Sequence, residues 1–421
     1  MIAVAAYWFY GRPARKLIVV GVTGTKGKST TCRLIASVLE AAGHSVGLLS
    51  TVEFQIASRR WLNDKKMTML GLGQIQKMLK EMVAAGCQYA VVETSSEGIL
   101  QFRHYGLHYD VAVFTNLGSE HSERHGGFNA LRRDKGKMFQ AVSKRPIKKL
   151  NGRLVPKTII VNADDPEAGF FMHFTAGQKL AFTLHSKALS GVDTILNGVI
   201  IRSDQHGSVC KINGEEFKLN IVGEFNVANA LAAAAVGISQ QISMTTIRSG
   251  LENVAVVPGR MEFIDEGQSF KVVVDYAHEP LSLAALFKAL RNIVVPDGRV
   301  IAVIGSDGGG RDQGKRVKMG EISGTLADLV IITDVNCFDE DPRSIAEMLA
   351  KGARQAGKQD GRDLYIQVDR RTAIEQAIRL AKSGDIVAIT AKGTEPCMVG
   401  ANGKKIPWDD RAITKKILKT I

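Results

Sequence analysis

Cysteine is too sparse and too scattered to build a framework. Cys32, Cys87, Cys210, Cys337 and Cys397 are odd in number and form no C-x-x-C pair, which excludes a zinc ribbon or a disulfide scaffold and fits a reducing cytoplasm. Proline is scarce, at 10 residues in 421, and aromatics make up only 6%. No low-complexity tract appears, and no Lys/Arg stripe with interleaved aromatics of the kind nucleic acid requires. Heptads and a glycine period are also missing, which excludes coiled-coil and collagen-like chains. Acidic residues are outnumbered, 42 against 55 basic, leaving a net charge of +13 that suits polyanionic partners such as nucleotides, nucleotide-sugars or acidic surfaces. What remains is ordinary: 45% hydrophobic and 23% charged, enough for two or three folded domains.

The one targeting-like segment, Met1–Tyr10, is apolar and is followed by Gly11, Arg12, Arg15 and Lys16. It is too short to span a bilayer, with no basic region ahead of it and no small-residue cleavage site behind it. It reads as a first strand or packed lead-in; an interfacial anchor and the stump of a longer N-terminus are the other readings.

From Lys16 to Val22 a β-branched run leads into Gly24-Thr25-Lys26-Gly27-Lys28-Ser29-Thr30, and a helical pattern follows through Leu34, Ile35, Val38 and Leu39 to Gly43. Strand, glycine loop and helix in this order form a phosphate-binding loop: backbone N–H groups close on phosphate oxygens, Lys28 reaches the outer phosphates and Ser29 can ligate Mg²⁺. Further strands are predicted at Tyr89–Val92, Val111–Thr115 and Thr158–Asn162, with a helix at Gln74–Ala85, which indicates a parallel α/β class. Between Leu180 and Leu219, the turns Asn197-Gly198, His206-Gly207 and Asn213-Gly214 predict antiparallel hairpins. Helices at Asn226–Gly237 and Thr246–Leu251 lead to a linker at Val257-Pro258-Gly259. Strands at 272–274, 300–304, 329–333 and 386–390, alternating with helices at 281–293, 344–355 and 372–382, predict a second, smaller, doubly wound Rossmann-like domain.

Glu93 ends an apolar strand beside the phosphate loop, where a carboxylate can hold Mg²⁺. His121 and His125 follow the next strand and point at the same crevice. Lys135, within Arg132-Arg133-Asp134-Lys135-Gly136-Lys137, reads by itself as part of a basic solvated face.

The strings GVTGTKGKST, ETSSEGILQFR, FTNLGSEHSERHG, VNADDP, GEFNVANALAA, VPGRMEF, VVDYAHEP, GGGRDQGKR, AKGTE and WDDR, in this order, closely resemble the Mur ligases, the MurE type most. The resemblance runs from about Lys16 to the C-terminus. It implies an N-terminal extension or remnant at 1–15, a central P-loop parallel-sheet ATP-binding domain at 16–257 and a C-terminal domain at 258–421. It further implies an ATP-dependent amide ligase of peptidoglycan precursor synthesis. Such an enzyme phosphorylates a substrate carboxylate and lets an amino acid's amine displace the phosphate. Its cofactors are ATP and Mg²⁺; its partners are a UDP-MurNAc-peptide and a free amino acid, with no nucleic acid and no stable membrane insertion. Carried over by position, Gly24, Thr25, Lys26, Gly27, Lys28, Ser29 and Thr30 cradle the triphosphate. Ser29 with Glu93 holds one Mg²⁺, and His121, Glu93 and a carbamylated Lys135 hold a second; Lys28, Glu93, His121 and Lys135 form the catalytic set. Asn226, Arg260, Asp275 and His278 match the contacts to adenine, phosphate and ribose across the family's domain cleft. Thr68, Ser95, Gln101 and Arg103 match muramyl-peptide contacts, and Arg311, Asn336 and Glu395 the amino-acid site.

The sequence departs from the pattern in places. The phosphate loop already begins at Gly24, so the N-terminal uridine-binding domain of the MurE type is absent or truncated. Ser95-Ser96-Glu97 replaces Ser-Ser-His, Thr68-Met69-Leu70 replaces Thr-Thr-Pro, and Val335-Asn336-Cys337-Phe338 stands where diaminopimelate-specific members carry Asp-Asn-Pro-Arg. Losing that arginine removes the bidentate partner of a distal carboxylate, so a diamino acid is expected without commitment to diaminopimelate. A folylpolyglutamate synthase or another ligase of the superfamily is the nearest rival; a DNA-dependent ATPase and a non-catalytic assembly partner are the others.

Overall fold

The run Ile2–Phe9 folds as a helix (α1) and not as a strand. A continuous apolar run carries no period with which to choose between the two, and its three alanines favour the helix. It is packed nonetheless, because the Tyr7 ring stacks on His108 at 5.3 Å between centroids. The computed structural model describes residues 2–118, 125–310 and 313–420, in two units, Met1–Ala255 and Val256–Ile421.

In the first unit, a 3₁₀ turn at Pro13–Lys16 leads into β1 (Ile18–Thr23), then α2 (Lys28–Ala41). Three short strands follow, β2 (Val46–Leu49), β3 (Glu53–Ile56) and β4 (Arg59–Leu62), before α3 (Leu72–Ala84), β5 (Tyr89–Glu93), the short α4 (Ser96–Leu100) and β6 (Val111–Phe114). Helix α5 (Phe128–Lys144), the hairpin β7 (Lys148–Leu150) and β8 (Arg153–Val155), then β9 (Thr158–Asn162), α6 (Ala168–Met172) and β10 (Gln178–Thr183) complete the alternating part. The unit closes with β11 (Thr194–Asp204), β12 (Gly207–Ile212), β13 (Glu215–Leu219), α7 (Glu224–Ser239) and α8 (Met244–Glu252).

One sheet joins eleven of these strands in the order β13-β12-β11-β10-β9-β6-β1-β5-β2-β3-β4. The run from β2 to β11 is parallel, and its members are near-continuous apolar sequence because helices cover both faces. The hairpins occupy less of the chain than the turn signals predict. Gln178–Phe182 pairs in parallel with Thr158–Asn162, and Asn197-Gly198 is no turn but the middle of β11. A side chain at Gly198 would press on Leu231, whose Cδ1 would lie 2.5 Å from its Cβ; glycine here lets α7 approach the strand. His206-Gly207 and Asn213-Gly214 do form the hairpin turns.

Each edge of the sheet is charged. Strand β4 carries Arg59 and Arg60, and β13 carries Glu215, Glu216 and Lys218, whose outward N–H donates to Glu252 at 2.8 Å.

The second unit has its own six-stranded sheet, ordered β14-β15-β19-β16-β17-β18 and parallel apart from β14. Its strands are β14 (Glu262–Ile264), β15 (Lys271–Val274), β16 (Val300–Ile304), β17 (Leu329–Ile332), β18 (Leu364–Ile366) and β19 (Ile386–Ile389), with a small β20 (Cys397–Val399) and β21 (Lys405–Pro407) hairpin. Helices α9 (Pro280–Ile293), α10 (Gly314–Leu326), α11 (Pro342–Gln355), α12 (Arg370–Leu380) and α13 (Asp410–Leu418) cover it. The WDDR string serves the fold: Asp410 accepts from Trp408 Nε1 at 2.7 Å and grips the fully buried Arg370 guanidinium at 2.9 and 2.7 Å.

Candidate functional site

Parallel strands deliver their following residues to one edge of a sheet, so the loops after β1, β5, β2 and β6 converge. The glycine loop after β1 is held by the segment after β6. Thr25 N–H donates to Asn116 O and Lys26 N–H to Asn116 Oδ1, both at 2.8 Å; the Asn116 amide returns a bond to Lys26 O at 3.1 Å, and Thr115 Oγ1 donates to the same oxygen at 2.7 Å. Gly24 has φ +154°, and a Cβ there would lie 2.0 Å from Thr115 Oγ1, so only glycine fits.

Glu93, at the end of β5, is 2% exposed. Its carboxylate accepts from Ser29 Oγ at 2.9 Å, Thr51 N–H at 2.7 Å and Thr51 Oγ1 at 2.9 Å. Thr51 then reaches Thr68 Oγ1 at 2.9 Å, which ties Thr68 to the same centre. Lys28 Nζ donates to Thr25 O at 2.9 Å, folding back over the loop.

Lys135 is not on a solvated face. It is 3% exposed, and its Nζ donates to Gly24 O at 2.9 Å, inside the phosphate loop. Burial, reinforced by the positive charges of Lys28 and Lys26, holds its ammonium well below the usual lysine range. Helix α5 turns Leu131, Lys135, Met138, Phe139 and Val142 inward, a spacing of i, i+4, i+7, i+8 and i+11 that is legible in the sequence. Lys137 lies outside that stripe, its half-exposed side chain reaching the buried Asp134 at 2.6 Å; the same Asp134 lies 2.6 Å from His125 Nδ1. His121 and Arg311 lie outside the described residues.

Asn226 joins the loop through a relay. Its Oδ1 accepts from Asn229 Nδ2 at 3.1 Å, and Asn229 Oδ1 accepts from Thr31 Oγ1, on the first turn of α2, at 3.1 Å. Ser95 caps α4, its hydroxyl accepting from Gly98 N–H at 3.1 Å, and Gln101 is that helix's C-cap. Arg103 donates to Met69 O, beside Thr68.

In the second unit, Asp275 accepts from Met261 N–H and Ala277 N–H, both at 2.7 Å, while the Arg260 guanidinium lies over the Tyr276 ring at 4.5 Å. His278 Nδ1 lies 2.7 Å from Tyr276 O. Asn336 donates to Asp307 at 2.8 Å and to Glu395 Oε2 at 3.1 Å, and the fully buried Lys392 bonds Glu395 at 2.8 Å and Asn336 Oδ1 at 3.3 Å. Thr51 and Lys392 were not singled out from sequence. Thr51 carried a usable signal, since it follows a parallel strand beside β5; Lys392 carried little, its partner Asn336 lying 56 residues away.

The Mur ligase middle domain matches residues 22–237, and the Mur ligase glutamate ligase domain matches 259–393. A UDP-N-acetylmuramyl-tripeptide synthetase from Roseiflexus sp. is 37% identical, covering 97% of this chain and 80% of the relative. A UDP-N-acetylmuramoyl-L-alanyl-D-glutamate--2,6-diaminopimelate ligase from Geobacillus kaustophilus is 35% identical over 99% and 82%. A solved structure of a ligase of that second description superposes with a TM-score of 0.62 at 28% identity, covering 96% of this chain and 78% of its own. With glycine loop, strand-end carboxylate and both domain matches in agreement, this chain belongs to the Mur ligase family of ligases.

Proposed function

We propose that this protein is an ATP-dependent amide ligase that adds a diamino acid to UDP-MurNAc-dipeptide through an acyl phosphate, in peptidoglycan precursor synthesis. The observation that carries the reading is the buried junction of Glu93 with Ser29 and Thr51 next to the glycine loop. The substrate carboxylate oxygen attacks the γ-phosphorus and ADP leaves; the amine then attacks the acyl carbon, and phosphate and a proton leave. Such chemistry asks the protein mainly for positioning and charge neutralisation. The loop amides and Lys28 would hold the phosphates, while the bonds from Thr51 fix Glu93 in one orientation.

The donor chemistry fits Mg²⁺. Among the described residues no group of three His, Cys, Asp or Glu exists, but Mg²⁺ is commonly held by one or two carboxylates, with substrate phosphates and water completing its shell. Glu93 and the Ser29 hydroxyl are hard oxygens 2.9 Å apart. Mg²⁺ bound there would neutralise phosphate charge as the acyl phosphate forms. Lys135 would join as a carbamate: a buried amine biased toward its neutral form can form an N–C bond to CO₂ and lose a proton to water, so becoming an anionic oxygen ligand. Arg260, Asp275 and His278 would contact the nucleotide, Thr68, Ser95, Gln101 and Arg103 the muramyl-peptide, and Arg311, Asn336 and Glu395 the incoming amino acid.

The test is phosphate release with ATP and UDP-MurNAc-dipeptide, scanned across diaminopimelate, lysine, ornithine and glutamate. Turnover that requires both acceptor and amine, with lysine or ornithine competing well because Phe338 replaces the carboxylate-binding arginine, is the expected result. ATPase activity indifferent to both would overturn the ligase reading. Turnover of diaminopimelate alone would overturn the inference from Phe338.

A further inference from the structure

We propose that the face built by α1, the 3₁₀ turn and the β7–β8 hairpin docks this protein on an anionic lipid bilayer surface. Two stretches far apart in sequence meet there. Lys148 Nζ, on the hairpin, donates to Ala14 O and Leu17 O, both at 2.8 Å. Beneath them, Asp110 is fully buried and accepts from Lys148 at 2.6 Å, Lys157 at 2.8 Å and Val19 N–H at 2.9 Å. Tyr7 fixes α1 to the same end through its stack on His108.

This surface is both apolar and basic. Helix α1 turns Val4, Ala5, Trp8 and Phe9 outward as one stripe, with Phe9 81% exposed and Trp8 59%; the hairpin region adds Ile147 and Leu154, at 56% and 69%. Around them stand the exposed Arg15, Lys16, Lys144, Arg145, Lys149 and Arg153, and Arg12 lies over the Trp8 ring at 4.5 Å. Residues 1–17 and 143–157 contain no acidic residue at all. Exposed tryptophan and phenylalanine ringed by uncompensated cations fit the headgroup region, where aromatic rings enter the interface and Lys and Arg meet anionic lipid. Charge of one sign around exposed aromatics is complementary to a surface of one sign, as an anionic bilayer presents.

The orientation leaves the nucleotide loop free. The face precedes β1, β6 and β9, whereas the glycine loop follows β1, about 20 Å away at ~3.3 Å per residue. No helix among the described residues is long and apolar enough to cross a membrane, so the association is peripheral. It does not depend on the ligase reading.

The experiment is flotation of the full chain with vesicles of equimolar phosphatidylcholine and phosphatidylglycerol, beside vesicles of phosphatidylcholine alone. Binding to the first and not the second, released by high salt, is expected. At roughly fivefold per basic residue near the surface, the R145E/K149E/R153E variant should bind at least about a hundredfold more weakly, before any repulsion from the new carboxylates. W8S/F9S should lose about tenfold or more. Both variants change only exposed side chains, so circular dichroism and binding of a fluorescent ATP analogue should be unchanged. Absence of flotation, equal binding to neutral vesicles, or variants that bind like the parent would overturn the proposal. So would a dimer in sedimentation that W8S/F9S converts to monomer, since a second copy would then be what covers this face.

Discussion

Lys135 and Lys137 sit two residues apart in one charged run, yet the structure assigns them opposite consequences on substitution. Lys135→Met keeps most of the buried stem and removes the amine. Two terms act on stability: Gly24 O loses its donor, at about 1–3 kcal/mol for an unsatisfied buried acceptor, while the cost of keeping an amine out of water is removed. They oppose each other, so the net change should be small, read as a small shift in urea midpoint. Turnover should behave differently. On the proposed role, loss of one preorganised stabiliser of developing charge costs about 10²–10³ in kcat, so Lys135→Met should be folded and nearly inactive. Lys137→Met removes one partner of Asp134, which keeps His125 beside it, and should turn over normally. Phosphate release with both substrates, measured beside urea unfolding, reads the two quantities. Normal turnover in Lys135→Met would refute the metal-site role, and an inactive Lys137→Met beside an active Lys135→Met would show the assignment to be two residues out of register.

Asp110→Asn should cost about 3–5 kcal/mol, because it leaves Lys148 and Lys157 without their shared buried counter-charge; an unchanged urea midpoint would refute that account. Gly24→Ala should abolish binding of a fluorescent ATP analogue, since the new methyl meets Thr115 Oγ1 at 2.0 Å, and a Kd within twofold of the parent would contradict it. Burial, then the cations Arg145, Lys148, Arg15 and Lys157, hold the His108 imidazole down at about 4. Its folded value lies below its unfolded one, so the unfolded chain binds the extra proton first; this stability contribution is present above pH ~6.5 and is lost as pH falls toward 4. His108→Asn, which tolerates the positive φ of 47° there, should flatten that part of the pH profile. An undiminished slope in urea midpoints between pH 6.5 and 4.5 would count against it.

The parallel framework was legible because its strands are apolar runs with turn signals at their ends, and the glycine loop announces the strand before it and the helix after it. Glu93 was legible for the same reason: its place at a strand exit decides its surroundings. The burial of Lys135 was written in the stripe from Leu131 to Val142 but masked by the charges beside it, because composition within a short run says less than period does. Met1–Tyr10 lacked any period, so helix and strand could not be separated. The misplaced turn at Asn197-Gly198 shows the reverse error: a strong local signal yielded to a tertiary demand, the close approach of α7 to β11. Lys392 and Glu395 are three residues apart and pair within one loop, but Asn336 reaches them only through strand ends that are brought together by the sheet, which no local pattern encodes.

An eleven-stranded open sheet ends in two strands with unused hydrogen-bonding groups, and each is a template on which another chain could grow. Here the two ends carry opposite dominant signs, arginines on β4 and glutamates on β13. Polar side chains thus line both edges, Arg60 held by Glu40 and Glu215 by Arg248, and on β13 the Lys218 N–H is already spent on Glu252. Replacing Arg59, the arginine of this edge not committed to Glu40, Gln55 and Glu53, with an apolar residue should lower the concentration at which the protein stays in solution.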